Sequence, residues 1–203
     1  MGAGDFRESF FKPVEGDYVI AADAGYLALE RLHYTPDVLL GDFDSLGEKG
    51  VDVDKIPGTY VIRLPKEKDD TDMLAAIREG MAQGYENFII LGATGGRVDH
   101  SIANMQCLVF LSRQNRTCKL YGDNYEMQVL TCDSLHLPAQ EHGILAVFSV
   151  GDTAKGVTLK GLKYELEDAN LTNDFPVGVS NEFTGQDVTI EVKKGSLLII
   201  RYL

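Results

Sequence analysis

The chain has 203 residues, 44% of them apolar and 25% charged, with a formal net charge of −12, an ordinary globular composition long enough for one large domain or two small ones. So acidic a surface repels nucleic-acid backbones and anionic lipid, which removes both as expected partners, and no apolar run approaches the length of a membrane span. Three cysteines, Cys107, Cys118 and Cys132, are odd in number and lack metal-ligand spacing, so free thiols in a reducing, cytoplasmic setting are expected.

In chain order, Gly2, Ala3 and Gly4 have the character of a loop that follows a strand, yet no strand precedes them. Phe6, Phe10 and Phe11 recur at roughly helical spacing and predict a short helix before Pro13. Residues 18–22, YVIAA, predict a compact strand ending in Asp23-Ala24-Gly25, and Tyr26, Leu27, Leu29 and Leu32 carry the helix after it. Residues 38–46, VLLGDFDSL, are the stretch around which the rest is organised. Val38, Leu39 and Leu40 predict a strand buried on both faces, Gly41 lets the backbone turn, and Asp42 and Asp44, two apart, lean the same way. A further strand, 59–64, stops at Pro65. The chain then runs through Lys66, Lys68, Asp69, Asp70, Thr71 and Asp72 into a helix with Leu74, Ile77 and Met81 on one face and Gly84 at its end. Residues 88–91, FIIL, predict another buried strand, which opens into GATGGRVDH (92–100) and a helix over 102–111.

Apolar strands alternating with amphipathic helices predict a mostly parallel sheet covered on both faces. Asp23, then Asp42 with Asp44, then Asp69, Asp70 and Asp72, then Asp99, each follow a separate apolar strand. In an open parallel sheet such loops share one edge, and charge repulsion there calls for something cationic. Mg2+ suits it, since that ion takes one or two protein carboxylates and fills its remaining positions with phosphate oxygens and water.

Each motif also has a plainer use. Asp42 and Asp44 would serve equally as caps of the turn after their strand, and Asp70 or Thr71 is a natural N-cap for the next helix. A helix N-terminus also favours carboxylates and phosphate, and Lys66 and Lys68 would offset phosphate charge. In the 92–100 loop three glycines allow backbone amides close to an anion and Arg97 adds a planar donor fork, while His100 suits the start of the helix. From about residue 123 the texture changes to short alternating runs at 127–130, 135–137, 144–150, 157–166, 177–183, 188–192 and 197–202. Seven strands without a helix predict an antiparallel sandwich or barrel. Within them GVSNEF (178–183) stands out as polar residues set in a strand.

The succession DAG, GDFDS, KDDTD, GATGGRVDH and GVSNEF, in this order across almost the whole chain, resembles the thiamine pyrophosphokinases (thiamine diphosphokinases) of bacterial type. The resemblance implies transfer of diphosphate from ATP to the hydroxyl of thiamine, giving thiamine diphosphate and AMP with Mg2+. It implies an α/β ATP-binding catalytic domain with a mostly parallel sheet, 1–122, and an all-β sandwich that binds thiamine, 123–203. It also implies a homodimer with thiamine held between the first domain of one subunit and the second domain of the other. Carried over by motif, Asp42, Asp44 and Asp72 would handle the metal with Asp23 beside them. Lys68, Thr71, Gly92, Thr94, Gly95, Gly96 and Arg97 would meet the nucleotide, and Asp99, Ser180 and Asn181 the thiamine. Asp23, Asp72 and Asp99 are the candidate catalytic acids, and Asp70 falls at a variable position of the motif. The chain lacks the tryptophan that some members stack on thiamine, so Phe183 or Tyr202 is expected to substitute. The competing readings are another diphosphotransferase of the same plan, such as a hydroxymethylpterin pyrophosphokinase, and a nucleotide- or thiamine-binding module without turnover.

Overall fold

Residues Val38–Gly41 form a strand, β2, buried at every position as their apolar run requires. In the computed structural model, which describes residues 1–67 and 69–203, β2 lies between β1 (Ile20–Ala22) and β3 (Tyr60–Arg63), parallel to both. Helices α1 (Tyr26–Arg31), α2 (Asp44–Glu48), α3 (Asp72–Ala82) and α4 (Val98–Arg113) and strand β4 (Asn87–Leu91) complete the alternation.

The chain divides into two units, Met1–Cys107 with Leu120–Asp123, and Leu108–Lys119 with Asn124–Leu203. The division passes inside α4 and inside β5 (Thr117–Tyr121). Within the first unit, side-chain alternation along β1 and β2 builds two apolar layers. Ala21 and Leu39 pack with Leu29 of α1 and Leu46 of α2, and Ala22, Val38 and Leu40 pack with Ala76 of α3. The face α3 buries is Met73, Ala76, Ile77 and Gly80, not the expected stripe of Leu74, Ile77 and Met81. Gly80 sits where a Cβ would come 2.9 Å from the Phe88 ring, so helix and strand pack more closely than a side chain permits. The expected helix at 6–11 is a single 3-10 turn, Glu8–Phe10, whose Phe10 stacks on Tyr121 with ring centroids 4.8 Å apart. The first glycines are not a bare loop. Gly2 N–H donates to Leu91 O at 2.7 Å and Gly4 N–H to Gly92 O at 2.7 Å.

The second unit is the antiparallel sandwich. One sheet runs in the order β10 (Leu166–Thr172), β9 (Thr153–Lys160), β12 (Val188–Lys194), β7 (Ser134–Leu137). The other contains β11 (Asn181–Glu182), β8 (Ile144–Ser149), β13 (Ser196–Tyr202) and β6 (Tyr125–Thr131) in that order. Leu145, Val147, Leu197 and Ile199 from the second sheet meet Val157, Leu159, Ile190 and Val192 from the first, the alternate residues of each strand closing a dry core. The expected 157–166 run is two strands, β9 and the start of β10, joined through Gly161. The expected 177–183 strand shrinks to two paired residues because Ser180 adopts φ 58° and breaks the extension.

Candidate active site

The pairing Ala22↔Leu40 in β1 and β2, and Gly41↔Arg63 in β2 and β3, aligns the carboxyl ends of three parallel strands. The residues that follow them are Asp23, Asp42 and Leu64, delivered to one edge as the alternation of elements predicts. Gly41 is required there, since an added Cβ would press within 3.0–3.3 Å of Asp23 backbone and Cβ atoms. Asp23 itself opens a 3-10 turn with φ 44°, and its Oδ1 is buried without a hydrogen-bond partner among the described residues. That is strain and desolvation held at one carboxylate.

Asp42 is half-buried and accepts the Asp44 N–H at 3.1 Å. Phe43, between them, has φ 64°, so the backbone reverses and Asp44 enters the first turn of α2, a short helix the sequence did not signal. Helix α2 adjoins the turn that begins at Asp23. Asp44 is exposed and paired with Lys66 at 2.5 Å, and this pairing pushes the lysine's pKa up. Thr71 caps α3, its Oγ1 accepting the Leu74 N–H at 3.2 Å, and Asp72 stands in the first turn. Asp70 is engaged by Arg78, which gives it a structural use. Lys68, expected at the nucleotide, lies outside the described residues. Among the described residues no three acids, histidines or cysteines form a ready metal cage.

The glycine loop after β4 is held from two directions. Gly92 (φ 65°) lies so close to Gly2 that a Cβ on either would strike the other's carbonyl oxygen, and Asp5 pairs with Thr94 in an isolated bridge. From α4 the buried Asn104 donates its amide to Ala93 O at 2.7 Å. Thr94 is buried, whereas Gly95, Gly96 and Arg97 are exposed. Arg97 forks onto Asp99, Nε to Oδ1 at 3.1 Å and Nη2 to Oδ2 at 2.6 Å. The guanidinium therefore holds the Asp99 carboxyl below the usual carboxylate range. The His100 backbone N–H donates to Asp99 Oδ1 at 2.9 Å in the first turn of α4. Beside the N-terminal loop lies a cleft of about 510 Å3 whose walls include Gly4, Asp5, Ala24, Arg31, Lys49 and Asp123, within the size range of small-molecule sites.

In the second unit Ser180 is exposed in its left-handed conformation. Asn181 is buried, its Oδ1 accepting the Tyr164 N–H at 2.9 Å and its Nδ2 donating to Tyr164 O at 2.7 Å. Its amide is a backbone clamp that leaves the Tyr164 ring 58% exposed. Phe183 belongs to the sandwich core at 5% exposure and has no ring face for a ligand, which corrects the expectation that it substitutes for tryptophan. Tyr202 is 43% exposed and packs edge-on to Tyr125.

Sequence reasoning passed over Gly2, Gly4, Asp5 and Asn104 as parts of this region. The signals were a Gly-x-Gly followed by an acid at the start of the chain, and an asparagine set among the apolar residues of the helix after the glycine loop.

Two protein-family models match the chain. They are the thiamin pyrophosphokinase catalytic domain over residues 14–121 and the thiamin pyrophosphokinase vitamin B1 binding domain over residues 134–197. A thiamine pyrophosphokinase of Bacillus subtilis (strain 168) is 28% identical over 185 residues, which is 90% of this chain and 86% of that protein. Thiamin pyrophosphokinase 1 of Caenorhabditis elegans is 29% identical over 176 residues, 81% of this chain and 68% of the relative. The crystal structure of the Bacillus subtilis enzyme superposes with a TM-score of 0.87 at 25% identity, covering 99% of this chain and 96% of that one. A thiamin pyrophosphokinase family protein from Enterococcus faecalis superposes with a TM-score of 0.83 at 28% identity, covering 100% and 96%.

Proposed function

We infer the reaction from the premise that the chain belongs to the thiamin pyrophosphokinase family, whose catalytic-domain model spans residues 14–121 of its 203. The protein transfers diphosphate from ATP to the hydroxyl of thiamine, giving thiamine diphosphate and AMP. The observation that carries this reading in the chain's own residues is the strand register that brings the carboxyl ends of β1, β2 and β3, and with them Asp23 and Asp42, to one edge.

Asp42, Asp44 and Asp72 are the residues that would hold Mg2+, with Asp23 beside them. This ion asks for only one or two protein carboxylates when phosphate oxygens supply the rest, a donor set these acids can offer. The partnerless buried oxygen of Asp23 fits a cation close by. Held there, Mg2+ would supply positive charge to offset that of the phosphates. Lys66, already on Asp44, lies at the same edge and neutralises the nucleotide's tail, together with the exposed amides of Gly95 and Gly96. Gly92, Thr94 and Thr71 set the walls of that approach, and Arg97 adds its fork once it leaves Asp99.

The thiamine hydroxyl oxygen attacks the β-phosphorus. Its new P–O bond forms as the bond from that phosphorus to the bridging oxygen breaks, and the electron pair leaves on AMP. Positioning and charge neutralisation contribute most in phosphoryl transfer. The hydroxyl proton goes to a carboxylate. Asp72 and Asp99 are the candidate acceptors, and the Arg97 guanidinium lowers the proton affinity of Asp99 for as long as it rests there. Asp99, Ser180 and Asn181 hold thiamine, Asn181 through its clamp on Tyr164. Ser180 and Asn181 come from the second unit of a partner copy in a homodimer that works in the cytoplasm. The 1–122 and 123–203 segments then divide the labour as nucleotide and thiamine domains.

The test is AMP formation from ATP and Mg2+ with a panel of alcohols. Turnover with thiamine and none with a hydroxymethylpterin is the expected result. AMP formed with the pterin alone, or binding without AMP, overturns it.

A further inference from the structure

Phe43 lies between Asp42 and Asp44 in a backbone conformation that a phenylalanine seldom takes. It is left-handed, at φ 64° and ψ 17°, where the Cβ crowds the following carbonyl. Such a conformation persists only where its surroundings over-determine it. Burial does part of this, since Phe43 is 5% exposed and shares an apolar cluster with Leu39, Leu46 and Val53.

The rest comes from the end of β3. Arg63 pairs across the sheet with Gly41, and the next N–H, that of Leu64, donates to Gly41 O at 2.9 Å. The Arg63 guanidinium carbon stands over the Phe43 ring, 5.4 Å from its centroid, inside the roughly 6 Å reach of a cation–π contact. Asp54, in the turn Val53–Lys55 that precedes β3, accepts from Arg63 Nη2 at 2.7 Å. The two side chains are 56% and 67% exposed, so this ion pair contributes little to stability by itself. Its effect is to orient, because Asp54 meets the guanidinium's charge and keeps it over the ring. Gly41 and Phe43 are the two chain neighbours of Asp42. The end of β3 therefore grips both, Gly41 through a main-chain bond and Phe43 through Arg63. Phe43 in turn sets Asp44, whose N–H reaches Asp42 Oδ1 and with which α2 begins.

We propose that Arg63 is a positioning residue for the diphosphate transfer, held over the Phe43 ring by Asp54 so that the left-handed turn presents Asp42 and Asp44 together. This rests on the reading of those two acids as the carboxylates that hold the metal. Arg63 touches neither ion nor substrate in this role and acts through Phe43. A cation at the same edge of the sheet has a second use, direct contact with the nucleotide's phosphates. The geometry favours positioning over that use, because the guanidinium already has its charge met by Asp54 and its place over the ring.

The test compares Arg63→Met, which keeps an unbranched stem without the charge, with Arg63→Lys, which keeps a cation. Amide hydrogen exchange is followed by NMR in the full chain, without metal or substrates, at Asp44, Gly47 and Leu64, whose N–H groups donate to Asp42 Oδ1, Phe43 O and Gly41 O. Arg63→Met should speed exchange at Asp44 and Gly47 about tenfold, and Arg63→Lys by no more than about twofold. Leu64, bonded main chain to main chain, should not change. Unchanged exchange at Asp44 and Gly47 in Arg63→Met overturns the proposal, and so does equal acceleration at Leu64, which would mean general loosening. In AMP formation, Arg63→Met should raise the Mg2+ concentration for half-maximal rate about tenfold and leave the KM for thiamine in place. Added to Phe43→Leu it should slow turnover no further, because both changes act through the ring. Losses that add would give Arg63 to the nucleotide directly and overturn the proposal. If Phe43→Leu does not fold, the exchange comparison decides alone. Exchange is read without substrates, so absence of AMP formation in the unaltered protein would count against the reaction and not against the turn.

Discussion

Asp44 and Asp72 occupy different elements yet are assigned to one ion, and each is open to an isosteric test. Asp44→Asn and Asp72→Asn keep the shape and remove the charge. Turnover should fall by orders of magnitude while the unfolding midpoint in urea stays put, and near-normal turnover in either would withdraw the metal assignment from it. Asn181 is the reverse case, a buried amide with both ends on the Tyr164 backbone. Asn181→Ala leaves those peptide groups unsatisfied, so a loss of about 1–3 kcal/mol is expected from denaturant unfolding. The Met1 amine gives a pH prediction. Burial lowers its pKa from 8.0 to about 5. Between those values the unfolded chain binds a proton that the folded chain refuses, so stability is greatest above pH 8 and declines as pH falls toward 5, by at most about 4 kcal/mol. Acetylating the amine should remove that slope in a series of urea midpoints, and an unchanged slope would assign it elsewhere.

Elements were legible where one physical requirement dominated. The run Val38, Leu39, Leu40 had no polar face to expose, so it had to be a strand covered twice. The aspartates were legible for the complementary reason, since charges placed straight after buried strands have only the sheet's edge to go to. Helix α3 was found but turned, because Gly80 counts as apolar only once Phe88 is seen against it. Strand β10 escaped notice because LEDANLT carries its polar residues on an exposed, bulged outer strand. Asn181 and Phe183 were noticed together, but clamp and core plug look alike in a string of letters. Gly41 is where element and site meet. Gly41→Ala should push the Asp23 turn away, costing about 1–3 kcal/mol of stability and lowering turnover at the same time. Lost stability with unchanged turnover would detach that turn from the chemistry.

The whole molecule carries a net charge of −12, and its two proposed substrates have opposite signs. A negative field gathers cationic thiamine and opposes the nucleotide. Raising ionic strength from about 0.01 M to 0.15 M shortens the screening length from roughly 30 Å to 8 Å. The KM for thiamine should therefore rise and that for Mg-ATP fall or hold steady, and parallel changes in both would remove the field as the cause. A feature of the same breadth is the meeting of the two glycine loops. A Cβ at Gly2, Gly4 or Gly92 would meet a backbone carbonyl of the opposite loop. Where two side chains collide, a smaller neighbour relieves the crowding, but a carbonyl offers nothing to shave away. In a saturation screen these glycines should thus yield no second-site suppressors, so that two segments some ninety residues apart in the chain tolerate drift only together, as a single immobile word.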